Sequence, residues 1–361
     1  MQLFIQWFRR TFSDPQLVVL LTLLVSGFVV VLTLGDMLAP VLASIVIAYL
    51  LEGLVAPLQR LGLPRMVAVV IVFVLFLIAL GLILFGLMPL LSRQVSQLVQ
   101  QLPNMLAKGQ QVLLMLPEKY PELITTEQVK EVIAAIGGEV GSIGQQVLSW
   151  SLASVVGFIT ILVYLVLMPL LVFFFLKDKD LIIGWFANLL PEDRKIAIHV
   201  WKEVDKQTSN YIRGKFIEIL IVWSASYITF VLLGLQYAML LSVLVGLSVI
   251  IPYIGATVVT IPVLLVAWFQ WGWSPEFGYL AAAYFIIQAL DGNVLVPLLF
   301  SEVVSLHPIA IIVAILVFGG FWGFWGVFFA IPLATLVNAV IQAWPTKREL
   351  DDKLAAQEGA A

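Results

Sequence analysis

Cysteine is absent from the 361-residue chain. Disulfides, thiolate metal sites, iron–sulfur clusters and thiol nucleophiles go with it. His199 and His307 are its only histidines and leave little for an imidazole metal site. Charge is scarce as well: 11% of residues carry one, where soluble domains have about 25%. An ordinary soluble enzyme is therefore excluded. The net charge of −3 comes without a long basic tract, which argues against nucleic acid as a partner. Catalytic signatures are missing too, with no Gly-x-Ser-x-Gly, no His-Glu-x-x-His and no phosphate-cradling Gly-x-x-x-x-Gly-Lys-Ser/Thr. The chain reads as a non-enzyme with no cofactor, no metal and no ATPase engine of its own.

What is present is apolar length. Hydrophobic residues make up 62% of the chain, and mean hydropathy is +1.07. A bilayer core needs about 20 apolar residues per helix. Runs of that kind are Gln16–Leu34, Met66–Leu91, Leu152–Leu176 and Phe216–Leu235, with Val41–Leu51 a shorter helix set off by Asp36 and Pro40. Ala238–Trp273, Phe277–Phe300 and Pro308–Trp344 are apolar but interrupted by glycine and proline. The first run is longer than a secretory signal's apolar region and reads as a retained helix. The expectation is an all-α polytopic membrane protein of about eight transmembrane helices, with broken or re-entrant segments in its C-terminal half.

Basic residues set the orientation. Two precede the first run, two lie between the second and third, eight fall in Lys177–Lys215 and three follow Trp344. None occurs from Phe216 to Thr346. Both termini and the 177–215 segment should face the cytoplasm, and 92–148 should lie outside. This partitions the chain into transmembrane helices over 1–91, an external helical insertion over 92–148 and a fourth span over 149–176. A cytoplasmic amphipathic helix over 177–215, a transmembrane or re-entrant region over 216–345 and a cytoplasmic tail over 346–361 complete it. In the insertion, Val95, Leu98, Val99, Leu102 and Met105, then Val129, Val132, Ile133, Ile136, Val140 and Ile143, recur at helical spacing. Such a stripe suits packing on the membrane domain, lying on lipid, or contact with a second copy.

Ionisable residues in apolar surroundings point to function, because burying a charge in a bilayer is costly. Glu52 and Glu218 fit structural roles, with Arg60 and Lys215 as sequence-near partners. Asp291 stands in Ile286-Ile-Gln-Ala-Leu-Asp-Gly-Asn-Val-Leu-Val-Pro297, with no basic residue nearby. Gln288 shares its helix face, Asn293 adds an amide, and Gly292 and Pro297 loosen the helix. Glu302 follows before His307-Pro308. Further breaks come at Pro252 and Gly255 and at Gly319, Gly320, Gly323 and Gly326 in an aromatic-rich run. Together these mark a candidate substrate or ion pathway. Arg213 and Lys215, in Tyr211-Ile-Arg-Gly-Lys215, mark its cytoplasmic entrance: either positive-inside anchors or an anion or headgroup contact.

Ile251-Pro-Tyr-Ile-Gly255, Asp291-Gly-Asn-Val-Leu-Val-Pro297, Leu306-His-Pro308, Gly319-Gly-x-x-Gly323, Gly326 and Ile331-Pro-Leu333, in that order, resemble the autoinducer-2 exporter family. The resemblance covers residues 10–345. It implies an inner-membrane permease of about eight spans, some members being assigned to export of the furanone autoinducer-2 and others resembling sodium/proton antiporters. It also implies a homo-oligomer, with pentameric rings suggested for relatives. The expected partners are membrane lipid and a small-molecule or ion substrate. Three functions stay open: outward transport of a small polar solute, cation/proton antiport through Asp291, and a non-transporting membrane scaffold.

Overall fold

The computed structural model describes residues 15–115, 117, 125–131, 133, 134, 138, 155–188, 195–252, 254–300 and 307–342. Among these, regular structure is helical throughout. Six helices are long and apolar enough to cross a membrane: Met37–Arg60, Arg65–Leu114, Val200–Leu232, Ile254–Trp271, Pro275–Phe300 and Ile309–Phe328. Four shorter apolar ones, Thr22–Gly35, Val163–Lys177, Ala238–Ser248 and Ala330–Ile341, accompany them. The chain is an all-α, multi-pass membrane protein.

Two expected boundaries dissolve into continuous helix. The first two runs form one helix, α1 (Pro15–Arg60), which passes through Pro40 and Pro57. At 46 residues it is about 69 Å long at 1.5 Å per residue. A proline removes one helix hydrogen bond, but an apolar medium offers the backbone no alternative partner, so the helix persists. Ser44 Oγ, buried one turn on, donates to the Pro40 carbonyl at 2.6 Å. The expected cytoplasmic helix and fifth span are likewise a single helix, α6 (Lys195–Leu232), running unbroken through Gly214. Phe300 explains the glycine, because a Cβ at 214 would stand 2.9 Å from its ring.

The remaining elements are α2 (Arg65–Leu82), a π-helical turn (Ile83–Leu87) and α3 (Met88–Leu114). Then come α4 (Val155–Lys177), α5 (Lys179–Ala187), α7 (Ala238–Ser248) and α8 (Ile254–Trp271). The chain continues through α9 (Pro275–Leu290), a second π-helical turn (Asp291–Leu295) and α10 (Val296–Phe300). It ends in α11 (Pro308–Phe328) and α12 (Ala330–Gln342). They divide into two compact units: the described parts of Met1–Phe73, Leu167–Ile217 and Val296–Ala361, and those of Val74–Val166 and Glu218–Leu295.

In the first unit, Tyr211, Ile212, Phe300 and Ile331 form a buried cluster against Tyr49 and Leu50. Tyr49 donates to Asp205 Oδ1 at 2.7 Å. Glu52 pairs with Arg65 and Lys179, each at 3.4 Å, rather than with the sequence-near Arg60. Arg65 also donates to the Leu176 carbonyl at 2.7 Å. One partly buried carboxylate thus ties α1 to α2 and α5.

In the second unit, Val222, Phe230, Leu241, Val245, Val263, Ala267, Leu280 and Tyr284 share one buried core. Leu91, Val95 and Leu98 of α3 pack on it. Val95 and Leu98, the first positions of the apolar stripe over 92–148, are thus spent on the core of their own unit, and α3 follows α2 through the π-helical turn. Gln94, on the same face, accepts the backbone N–H of Leu240 at 2.8 Å. That N–H is one of the first-turn donors of α7 that a helix cannot satisfy itself.

Candidate functional site

The second unit holds a buried polar chain in a region without a basic residue. The α9 helix starts at Pro275, with Ser274 accepting the Phe277 N–H. Its turns bring Tyr284, Gln288 and Asp291 to positions i, i+4 and i+7, which share a face. Away from that face, α9 carries exposed Phe285, Ile286 and Leu290. On α9 the apolar side chains are bare and Tyr284 is buried, the arrangement a bilayer favours.

Tyr284 is fully buried and lies near Phe230 and Phe285. Its hydroxyl is 2.9 Å from Thr260 Oγ1 on α8 and accepts the Gln288 amide N–H at 2.7 Å. Thr260 donates its one proton to the Ala256 carbonyl at 2.7 Å. A hydroxyl has a single donor, so Tyr284 must donate to Thr260. The chain therefore runs in one direction: Gln288 N–H to Tyr284 O–H to Thr260 O–H to Ala256 C=O. It uses one amide proton of Gln288, and among the described residues it leaves the carbonyl oxygen of that amide available as an acceptor. Burial raises the cost of breaking any link.

Asp291 opens the π-helical turn one helical turn beyond Gln288, half-buried, with Oδ1 shielded from solvent. A π-turn inserts a residue into the helix and shifts its hydrogen bonds, a local distortion frequent at functional sites. Sequence reasoning expects a loosened helix here, and the structure widens it without breaking it. Asn293 is placed differently from expectation. It is exposed, and its amide donates at 2.8 Å to the Ala289 carbonyl, supporting the distorted turn instead of joining the polar chain.

Pro252 is half-buried in the break between α7 and α8, and Gly255 starts α8 against the Ser248 carbonyl, which a Cβ would overlap. Both lie in the second unit with Asp291 and Gln288. The glycines at 319–326 lie in the first unit. There, Gly323 breaks α11 with φ 56° and ψ −134°, a conformation reserved for glycine. Gly326 closes on the Phe318 carbonyl, and a Cβ on Gly319 would stand 2.8 Å from Val327. Gly320 faces open space. Lys215 and Arg213 also belong to the first unit. Lys215 is buried with Nζ 5.1 Å from the Phe300 ring centre, while Arg213 lies against Gly53. Glu302 falls outside the described residues, as do Val132, Ile136, Val140 and Ile143, residues 189–194 of the cytoplasmic segment and the tail.

Sequence reasoning missed Tyr284 and Thr260. Tyr284 was findable, standing four residues before Gln288. Thr260 reads as one hydroxyl in an apolar run, and only packing of α8 on α9 gives it a partner.

Comparison with known proteins agrees with this architecture. The pattern of the AI-2E family transporters matches residues 18–346. The chain is 49% identical over 345 residues to a protein of Escherichia coli strain K12 named "Putative permease PerM", covering 96% of this chain and 98% of that one. It is 25% identical over 312 residues to "Putative transport protein YueF" of Bacillus subtilis strain 168, covering 83% and 82%. Against "Putative transport protein sll0063" of Synechocystis the figures are 27% over 310 residues, 84% and 76%. With the family pattern spanning nearly the whole chain, this protein belongs to the AI-2E transporter family.

Proposed function

We propose that the protein is an inner-membrane exporter of a small polar solute, autoinducer-2-like in size and polarity, with its site at Gln288 and Asp291. The observation that carries this reading is the inward polar chain, Thr260 to Tyr284 to Gln288, ending one turn from an intramembrane carboxylate at a π-helical turn. Hydrogen-bonding groups held in place on rigid helices suit a polyhydroxylated solute, since a site that satisfies hydroxyls rejects analogues lacking them. Tyr284 and Thr260 orient the Gln288 amide, and Asp291 supplies a charged acceptor. Broken helices at Pro252–Gly255 and at Gly323 support a transporter, because irregular backbone in a membrane persists where it lines a pathway. Both termini face the cytoplasm in this reading, and the chain assembles as a homo-oligomer, a pentameric ring by its family resemblance.

Asp291 also supports a second reading, sodium/proton antiport, because a carboxylate without a basic neighbour in sequence can exchange a proton for a cation. Reconstituted vesicles separate the two. One set is loaded with labelled autoinducer-2, and a parallel set carries a pH dye and receives sodium. Protein-dependent solute release is the expected result. Sodium-driven pH change without release replaces export by antiport. Silence in both sets, with folded protein, overturns transport and leaves the membrane scaffold.

A further inference from the structure

Arg213 lies where the charged half of α6 gives way to its apolar half. Lys202, Glu203, Asp205 and Lys206 precede it, while Phe216, Ile217 and Leu220 follow at i+3, i+4 and i+7. A guanidinium at such a junction sits at headgroup depth. Its side chain crosses Gly53 of α1, where a Cβ would stand 2.7 Å from Nε and 3.2 Å from Cζ. Glycine at 53 thus leaves the notch that the guanidinium fills.

The charge balance of that notch is unusual. Arg213 Nε is shielded from solvent and, among the described residues, meets no hydrogen-bond acceptor. The carboxylate next to the notch, Glu52, is already shared between Arg65 and Lys179. Asp205, two turns back on α6, accepts from Tyr49. A guanidinium without an acceptor among the described residues is costly, so an anionic oxygen reaching its less shielded end is the complement this position calls for. Arginine's planar fork matches phosphate oxygens in particular.

The surroundings decide between a soluble phosphate and a lipid's. Phe216 and Ile217, on the Arg213 face of α6, are 41% and 44% exposed, and Leu54, beside Gly53, is 54% exposed. Apolar side chains bare to the bilayer next to a headgroup-level cation fit an amphiphile, whose acyl chains cover them while its phosphate meets the cation. Lys215 takes no part. Two residues on, it sits about 200° around the helix, buried over Phe300. The two basic residues that sequence spacing groups as one entrance are therefore separate features.

We infer that Arg213, seated in the Gly53 notch, binds the phosphate of a membrane phospholipid, with Phe216, Ile217 and Leu54 against its acyl chains. The test is native mass spectrometry of the full chain in detergent with added phosphatidylglycerol. Thermal unfolding is run in parallel with phosphatidylglycerol and with inorganic phosphate at equal concentration. Wild-type protein should retain lipid adducts and unfold at a higher temperature with the lipid, while inorganic phosphate shifts nothing. Arg213→Gln should lower adduct retention about tenfold, as loss of one charge-assisted contact predicts. Gly53→Ala should lower it as well with the charge intact, and this variant carries the test if Arg213→Gln does not fold. Equal retention in wild type and either folded variant overturns the site. Stabilisation by inorganic phosphate equal to that by the lipid overturns the lipid as its occupant. Lipid retention is read without any flux, so this result and the transport assay fail independently.

Discussion

At the scale of single residues, the polar groups of α8 and α9 have countable partners. Tyr284 is the middle of a one-way chain, so removing its hydroxyl strands Thr260 Oγ1 as an acceptor and frees one Gln288 proton at a buried position. Tyr284→Phe should cost about 1–3 kcal/mol, the penalty for buried groups left unserved, and a fall in the thermal unfolding midpoint would register it. An unchanged midpoint would mean that the hydroxyl is dispensable to the fold. Asp291 and Gln288 were legible in the sequence because a polar residue in a long apolar run stands out against the cost of burying it. Asn293 stood out for the same reason, yet its amide donates to the Ala289 carbonyl within the π-helical turn, a use invisible without the backbone. Glu52 shows the same limit. Proximity in sequence suggested Arg60, whereas Arg65 and Lys179 reach it through the packing of α2 and α5.

At the scale of elements, the glycines are separable by what surrounds them. Gly255→Ala and Gly326→Ala place a methyl group on backbone carbonyls, those of Ser248 and Phe318, which have no side-chain freedom with which to yield. Gly292→Ala and Gly320→Ala point into open space on helical backbone. The first pair should lose folded yield and about 1–3 kcal/mol or more, and the second pair should stay within about 0.5 kcal/mol of wild type in the same unfolding assay. Equal behaviour of the two pairs would contradict the breaks as drawn. Sequence punctuation located the breaks at 251–255 and 319–326 because several helix-weakening residues coincide there. It failed at Pro40 for the opposite reason. A lone proline or glycine is outvoted by a medium in which an opened helix finds no other hydrogen bonds. The π-helical turn at Ile83–Leu87 has only Gly86 to mark it within an apolar run.

At the scale of the whole molecule, composition was the most informative level. The scarcity of charge and the length of the apolar runs dictate a multi-pass helical protein before any motif is considered. What composition could not convey is that each compact unit gathers separate stretches of chain. Long-range contacts such as Gln94 with Leu240 and Tyr49 with Asp205 create that arrangement. The transport reading makes Asp291 the charged group of the pathway's polar face among the described residues, and its most direct test is a rate. Wild-type protein and Asp291→Asn are reconstituted at matched density, and the initial rate of labelled autoinducer-2 release is compared between them. The Asn side chain keeps the size and loses the charge, so the account predicts a rate lower by about tenfold or more. Equal rates from equally folded proteins would contradict it.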